Sequence, residues 1–116
     1  MDRSVPPGEI QGELTPPCSK SYAQRALAAA LLAEGESTLR NIELCDDTRS
    51  AMRCIEALGA DGTVVDPHTL KIRGGLAPRG RTLHVGESGL STRLFTPIAA
   101  LAGVPLRIEG DGTLLR

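Results

Sequence analysis

Hydrophobic and polar positions along this chain alternate between the helical period and the period of two. Ala and Leu crowd the run from Lys20 to Ala33, with Ser19 placed to cap its start and Gly35 placed to stop it, so the spacing predicts a helix there. A second helix opens at Asp46 or Asp47 and carries Ala51, Ile55 and Leu58 along one stripe before Gly59, leaving Arg49, Arg53 and Glu56 on the other face. A third covers Leu90 to Ala102 and contains Pro97, which should kink it or mark its first turn. Alternation predicts short strands at Glu9 to Leu14, Ser37 to Asn41, Thr63 to Val65, Leu70 to Arg73, Thr82 to Val85 and Pro105 to Glu109. The third and fourth are joined through the turn Asp66-Pro67-His68.

After the first strand the order is helix, strand, helix, strand, strand, and then strand-helix-strand begins the pattern again. A repeated α/β unit is implied, its first copy over about 9–75 and the start of a second over about 81–116, with the Gly/Pro-rich stretch Gly74 to Gly80 as the boundary. The segments Ala26 to Ala33 and Leu94 to Ala102 are apolar almost all the way round, the mark of helices buried on every side. Ala-rich faces that merely tolerate solvent are the alternative.

Composition narrows the class. A chain of 116 residues suits one modest domain, and 41% hydrophobic residues with only 2% aromatics imply a thin aliphatic core. With 13 Lys and Arg against 14 Asp and Glu, net charge is −1, so no long-range field draws nucleic acid or an anionic membrane. Positive charge must act locally. Cys18, Cys45 and Cys54 form an odd set without metal-type spacing, and the chain opens without a basic-then-apolar leader, so a soluble protein in a reduced cytoplasmic setting is expected. No metal site and no cofactor motif is expected either.

Three constellations could carry chemistry. Ser19-Lys20-Ser21 opens the first helix, and Arg25 follows Ser21 at helical spacing; free N–H groups, an ammonium, a hydroxyl and a guanidinium together suit a phosphate or carboxylate. The same residues also fit a simple cap with two solvated cations. Gly86-Glu87-Ser88-Gly89 leads from a strand into a helix with Arg93 beyond it, either presenting N–H groups to an anion or making an ordinary tight turn. Asp46-Asp47-Thr48-Arg49 fits a helix start stabilised by its own acids, or a catalytic carboxylate. His68, in a turn, and His84, in a strand, have no partner nearby in sequence.

These motifs, in this order, resemble the 5-enolpyruvylshikimate-3-phosphate (EPSP) synthases. The likeness is carried by Pro17-Cys18-Ser19-Lys20-Ser21, Arg25-Ala26-Leu27, Gly35, Asn41, Asp46-Asp47-Thr48-Arg49, Leu58-Gly59, the run Gly86 to Arg93, and Gly110-Asp111-Gly112-Thr113-Leu114. The resemblance implies part of an inside-out α/β barrel built from β-α-β-α-β-β units, with helices buried in the middle. It implies an enzyme that transfers the enolpyruvyl group of phosphoenolpyruvate to the 5-hydroxyl of shikimate 3-phosphate and releases phosphate. By residue, it implies that Lys20 meets both substrates, that Ser21 and Arg25 hold shikimate 3-phosphate, and that Gly89 lines the phosphoenolpyruvate pocket, where glyphosate would crowd it. Asp47 matches an acidic position near the reaction centre, and Arg93 an arginine of the following helix. No cofactor is implied, and the full-length parent is expected to be monomeric.

Two residues depart from the family pattern: Cys18 stands where glycine is usual, and Glu87, which brings negative charge towards anionic substrates, where asparagine is common. The arginine expected to meet phosphoenolpyruvate falls just past Arg116, and turnover by this chain alone is not expected. The same architecture occurs in UDP-N-acetylglucosamine enolpyruvyl transferase, which has asparagine in place of Ser21; a non-catalytic anion-binding module is the remaining alternative.

Overall fold

A computed structural model describes all 116 residues. Ser19 caps α1 (Lys20–Leu32), its Oγ accepting the Tyr22 N–H at 3.3 Å, and the chain leaves the helix through Gly35 at φ +91°. β1 (Glu36–Arg40) follows, then α2 (Asp46–Ala57), whose first turn carries Asp46 and Asp47 at the positive end of the helix dipole. β2 (Asp61–Asp66) and β3 (Thr69–Arg73) form a hairpin turned by Pro67 and His68, where the His68 N–H donates to Asp66 Oδ1 at 2.8 Å. β4 (Thr82–His84), α3 (Gly89–Leu101) and β5 (Arg107–Glu109) complete the chain with a final 3-10 turn over Gly112–Leu115.

There are two sheets. β1, β3 and β2 lie antiparallel in that order, with β3 central and its alternate residues Leu70 and Ile72 fully buried. β4 and β5 pair in parallel across α3, as a β-α-β unit requires. α1 packs on α2, α3 and β3, while α2 also packs on β2 and β4, so the two helices bridge the sheets. The core is aliphatic apart from Phe95, the only phenylalanine, which is wholly buried.

Two sequence-based expectations need correction, and one of the two readings of Pro97 falls away. Glu9 to Leu14 form no strand: the segment has no neighbour to pair with, every residue in it is exposed, and Gly12 stands at φ +139°. α1 and α3 are not buried on every side, because their partners within the chain cover one flank only. Tyr22 and Leu32 remain 74% and 48% exposed on α1, and Leu101 70% exposed on α3. Pro97 sits well past the first turn of α3, and the helix runs on to Leu101.

Candidate functional site

A polar cleft of about 570 Å³ opens where four element ends meet. Lys20 enters it from the first turn of α1, Cys45 to Arg53 from the start of α2, Gly86 and Glu87 from the loop after β4, and Asp111 from the turn after β5. The parallel pairing of β4 and β5 places the last two side by side: the Asp111 N–H donates to the Gly86 carbonyl at 2.8 Å.

The loop between β4 and α3 is fixed from several directions. Gly86 adopts φ +61°, and Ser88 caps α3 by accepting the Ser91 N–H at 3.0 Å. The Gly86 N–H donates to His84 Nδ1 at 3.3 Å, so that nitrogen is the acceptor and Nε2, 3.5 Å from Asp111 Oδ2, carries the proton. His84 therefore has two partners that its strand position hid, one of them in the turn after β5. Glu87 leans away towards the last turn, where Thr113 Oγ1 donates to its Oε2 at 3.5 Å.

Charge in the cleft is mixed. Lys20, Arg49 and Arg53 face four carboxylates, Asp46, Asp47, Glu87 and Asp111, and none of the three cations takes part in an ion pair. Arg53 Nη2 donates to Ser50 Oγ at 2.9 Å, which turns the guanidinium along α2. Burial alone would push the Cys45 thiol up; the Thr48 hydroxyl at 3.3 Å, the N–H groups of Thr48 and Asp47, and the Lys20 ammonium outweigh it and hold the thiol below its ordinary range. No three His, Cys, Asp or Glu side chains are grouped to hold a metal ion.

The sequence-derived candidates divide. Lys20 and Asp47 line the cleft together. Ser21 and Arg25 are exposed but lie outside its lining. Gly89 begins α3 just beyond the cleft, and the guanidinium of Arg93 folds back over it, with Nη1 3.5 Å from where a Cβ would stand. Sequence reasoning gave no site role to Ser50, Arg53 or Asp111; the available signal was the Arg49 and Arg53 pair on the polar face of α2.

Helix starts and a β-α-β loop converging on a polar cleft that holds both unpaired cations and carboxylates define an α/β protein with a site open to a small polar ligand. Residues 5–115 match the sequence model of the EPSP synthase (3-phosphoshikimate 1-carboxyvinyltransferase) family, and the chain belongs to that family. It is 42% identical over 108 residues to the 3-phosphoshikimate 1-carboxyvinyltransferase of Thermococcus kodakarensis, covering 90% of this chain and 25% of that protein. The Clostridium botulinum enzyme of the same name is 34% identical over 114 residues, covering 93% and 26%. The solved EPSP synthase of Acinetobacter baumannii superposes with a TM-score of 0.71 at 24% identity, over 89% of this chain and 24% of that one, and supports the fold. The chain thus spans about a quarter of the length of the relatives it matches.

Proposed function

We propose that the chain supplies one wall of an EPSP synthase active site, in which the 5-hydroxyl of shikimate 3-phosphate adds across phosphoenolpyruvate and phosphate is then eliminated. The observation that carries this is the position of Lys20: an unpaired ammonium on the first turn of α1, facing the Gly86–Glu87 loop across the cleft. Three features support an anion there. The first turn of α1 contains no acidic residue, its free N–H groups add positive potential, and Arg49 and Arg53 stand opposite.

On this proposal Lys20 neutralises the substrates' anionic groups, and Asp47, which lines the same cleft without pairing with the ammonium, is the acidic group near the reaction centre. Ser21 and Arg25, on the neighbouring flank of α1, hold the phosphate of shikimate 3-phosphate at the cleft's edge, while Gly89 and Arg93 border the phosphoenolpyruvate side. The repeat expected over about 9–75 has its elements between Lys20 and Arg73, and a second would open over about 81–116, each contributing one rim. Taken alone, the chain does not turn over and binds shikimate 3-phosphate weakly at most, because closure between two domains normally completes such a site. A cytoplasmic, monomeric parent is part of the same proposal, and no helix of this chain is long and apolar enough to cross a membrane.

The test is a titration of the amide NMR signals of Lys20, Ser21 and Gly89 with shikimate 3-phosphate, phosphoenolpyruvate, UDP-N-acetylglucosamine and inorganic phosphate. Selective response to the first two supports the proposal; equal response to every anion overturns it in favour of a general anion-binding module.

A further inference from the structure

Gln24 is the one buried polar residue of α1, at 2% exposure. A carboxamide in an apolar helix face is costly unless its hydrogen bonds are made, and here the partners lie 64 and 67 residues away. Ser88 Oγ donates to Gln24 Oε1 at 3.0 Å, and Ser91 Oγ donates to the same oxygen at 2.9 Å. Ser88 Oγ also accepts the Ser91 N–H and keeps its own proton for Gln24. The carbonyl oxygen of Gln24 thus faces α3 and takes both serine hydroxyls, the two bonds its lone pairs allow.

Both serines belong to the opening turn of α3, one as its cap. Lys20 stands one turn before Gln24 on the same face of α1. A short chain of buried hydrogen bonds therefore runs from the helix that carries Lys20 to the loop that forms the opposite rim of the cleft.

We propose that Gln24 is a positioning residue that sets the width of the cleft, clamping the Gly86–Gly89 loop and the start of α3 against α1 at a fixed distance from Lys20. Its bearing on ligand binding rests on the EPSP synthase proposal above; its hold on the loop does not. The clamp works through an acceptor of the right reach. Gln24→Met keeps the length and removes the acceptor, whereas Gln24→Glu keeps an acceptor oxygen.

The experiment compares these variants of the full chain by amide hydrogen exchange and by phosphoenolpyruvate titration read at the Lys20 amide. In Gln24→Met, exchange of the Ser91 N–H and of the Gly86–Gly89 loop should quicken at least tenfold and phosphoenolpyruvate affinity should fall at least fivefold. Exchange in β3 should stay within twofold, and Gln24→Glu should restore loop protection. Ser91→Ala removes one of the two donors and should give an intermediate loss, which decides the matter if the Met variant does not fold. Unchanged loop exchange in either variant, equal quickening in β3, or failure of Gln24→Glu to restore protection would overturn the proposal. If the unsubstituted chain does not respond to phosphoenolpyruvate, the functional proposal fails while exchange at Ser91 still decides the clamp.

Discussion

Gly86 lies so close to Ser50 that a Cβ built on the glycine would stand 2.6 Å from the serine Oγ. Its backbone is also left-handed, at φ +61°. Gly86→Ala therefore meets two separate penalties, about 1–2 kcal/mol from the backbone and a further cost from the contact. Urea unfolding should show both, and adding Ser50→Ala should recover the contact part alone. Full recovery in the double variant would mean that the backbone conformation of the loop is not the one described.

Phe95 is the only aromatic residue in the core. Phe95→Ala should cost roughly 3–5 kcal/mol, a large share of the stability of a small domain, whereas Phe95→Leu should cost about 1 kcal/mol. Denaturant midpoints measure the difference. Similar losses in the two would show that volume at this position does not control packing.

Acid should unfold the chain through identified carboxylates. A hydrogen bond from Arg79 at 2.8 Å, and its charge, hold the Asp61 carboxyl below the usual range; the His68 N–H does the same first for Asp66, helped by Thr69. A depressed native pKa means that the unfolded chain takes up the proton first, so this stabilisation is present above the ordinary carboxylate pKa and is lost as pH falls through the native value. Asp61→Asn should flatten stability against pH below about pH 4. A pH profile identical to that of the unsubstituted chain would remove Asp61 from the account.

Thiol chemistry should separate two cysteines. Burial pushes Cys54 up to about 11, partly offset by Arg53, so it stays protonated, whereas Cys45 is half-buried at the cleft with its thiol held low. Iodoacetamide near pH 7.5 should label Cys45 well before Cys54, and phosphoenolpyruvate should slow the Cys45 reaction. Site-resolved mass spectrometry reads both rates. Cys54 labelling as fast as Cys45 would contradict the described packing.

Much of the fold could be read from local signals. Ser19 and Ser88 cap helices where short polar residues precede helical runs, and β3 alternates Leu70 and Ile72 inward as its pattern requires. Glu9 to Leu14 alternate just as well, but a strand needs a neighbour, and alternation says nothing about whether one exists. The site was legible only in part for a related reason. Spacing put Ser21 and Arg25 on one face of α1, yet the cleft is set by how α2 and the β4–α3 loop pack around Lys20, which no helical period encodes. His84 and Gln24 were hidden similarly, since their partners Asp111 and Ser88 come from distant segments.

The central claim is that Lys20 is the principal anion contact of this chain. Calorimetric titration of phosphoenolpyruvate into the unsubstituted chain and into Lys20→Met measures it directly. Loss of one charge-assisted hydrogen bond, about 1.5–3 kcal/mol, predicts an affinity roughly 10- to 100-fold weaker in the variant. Equal affinity in the two proteins, with the variant folded, would contradict the account.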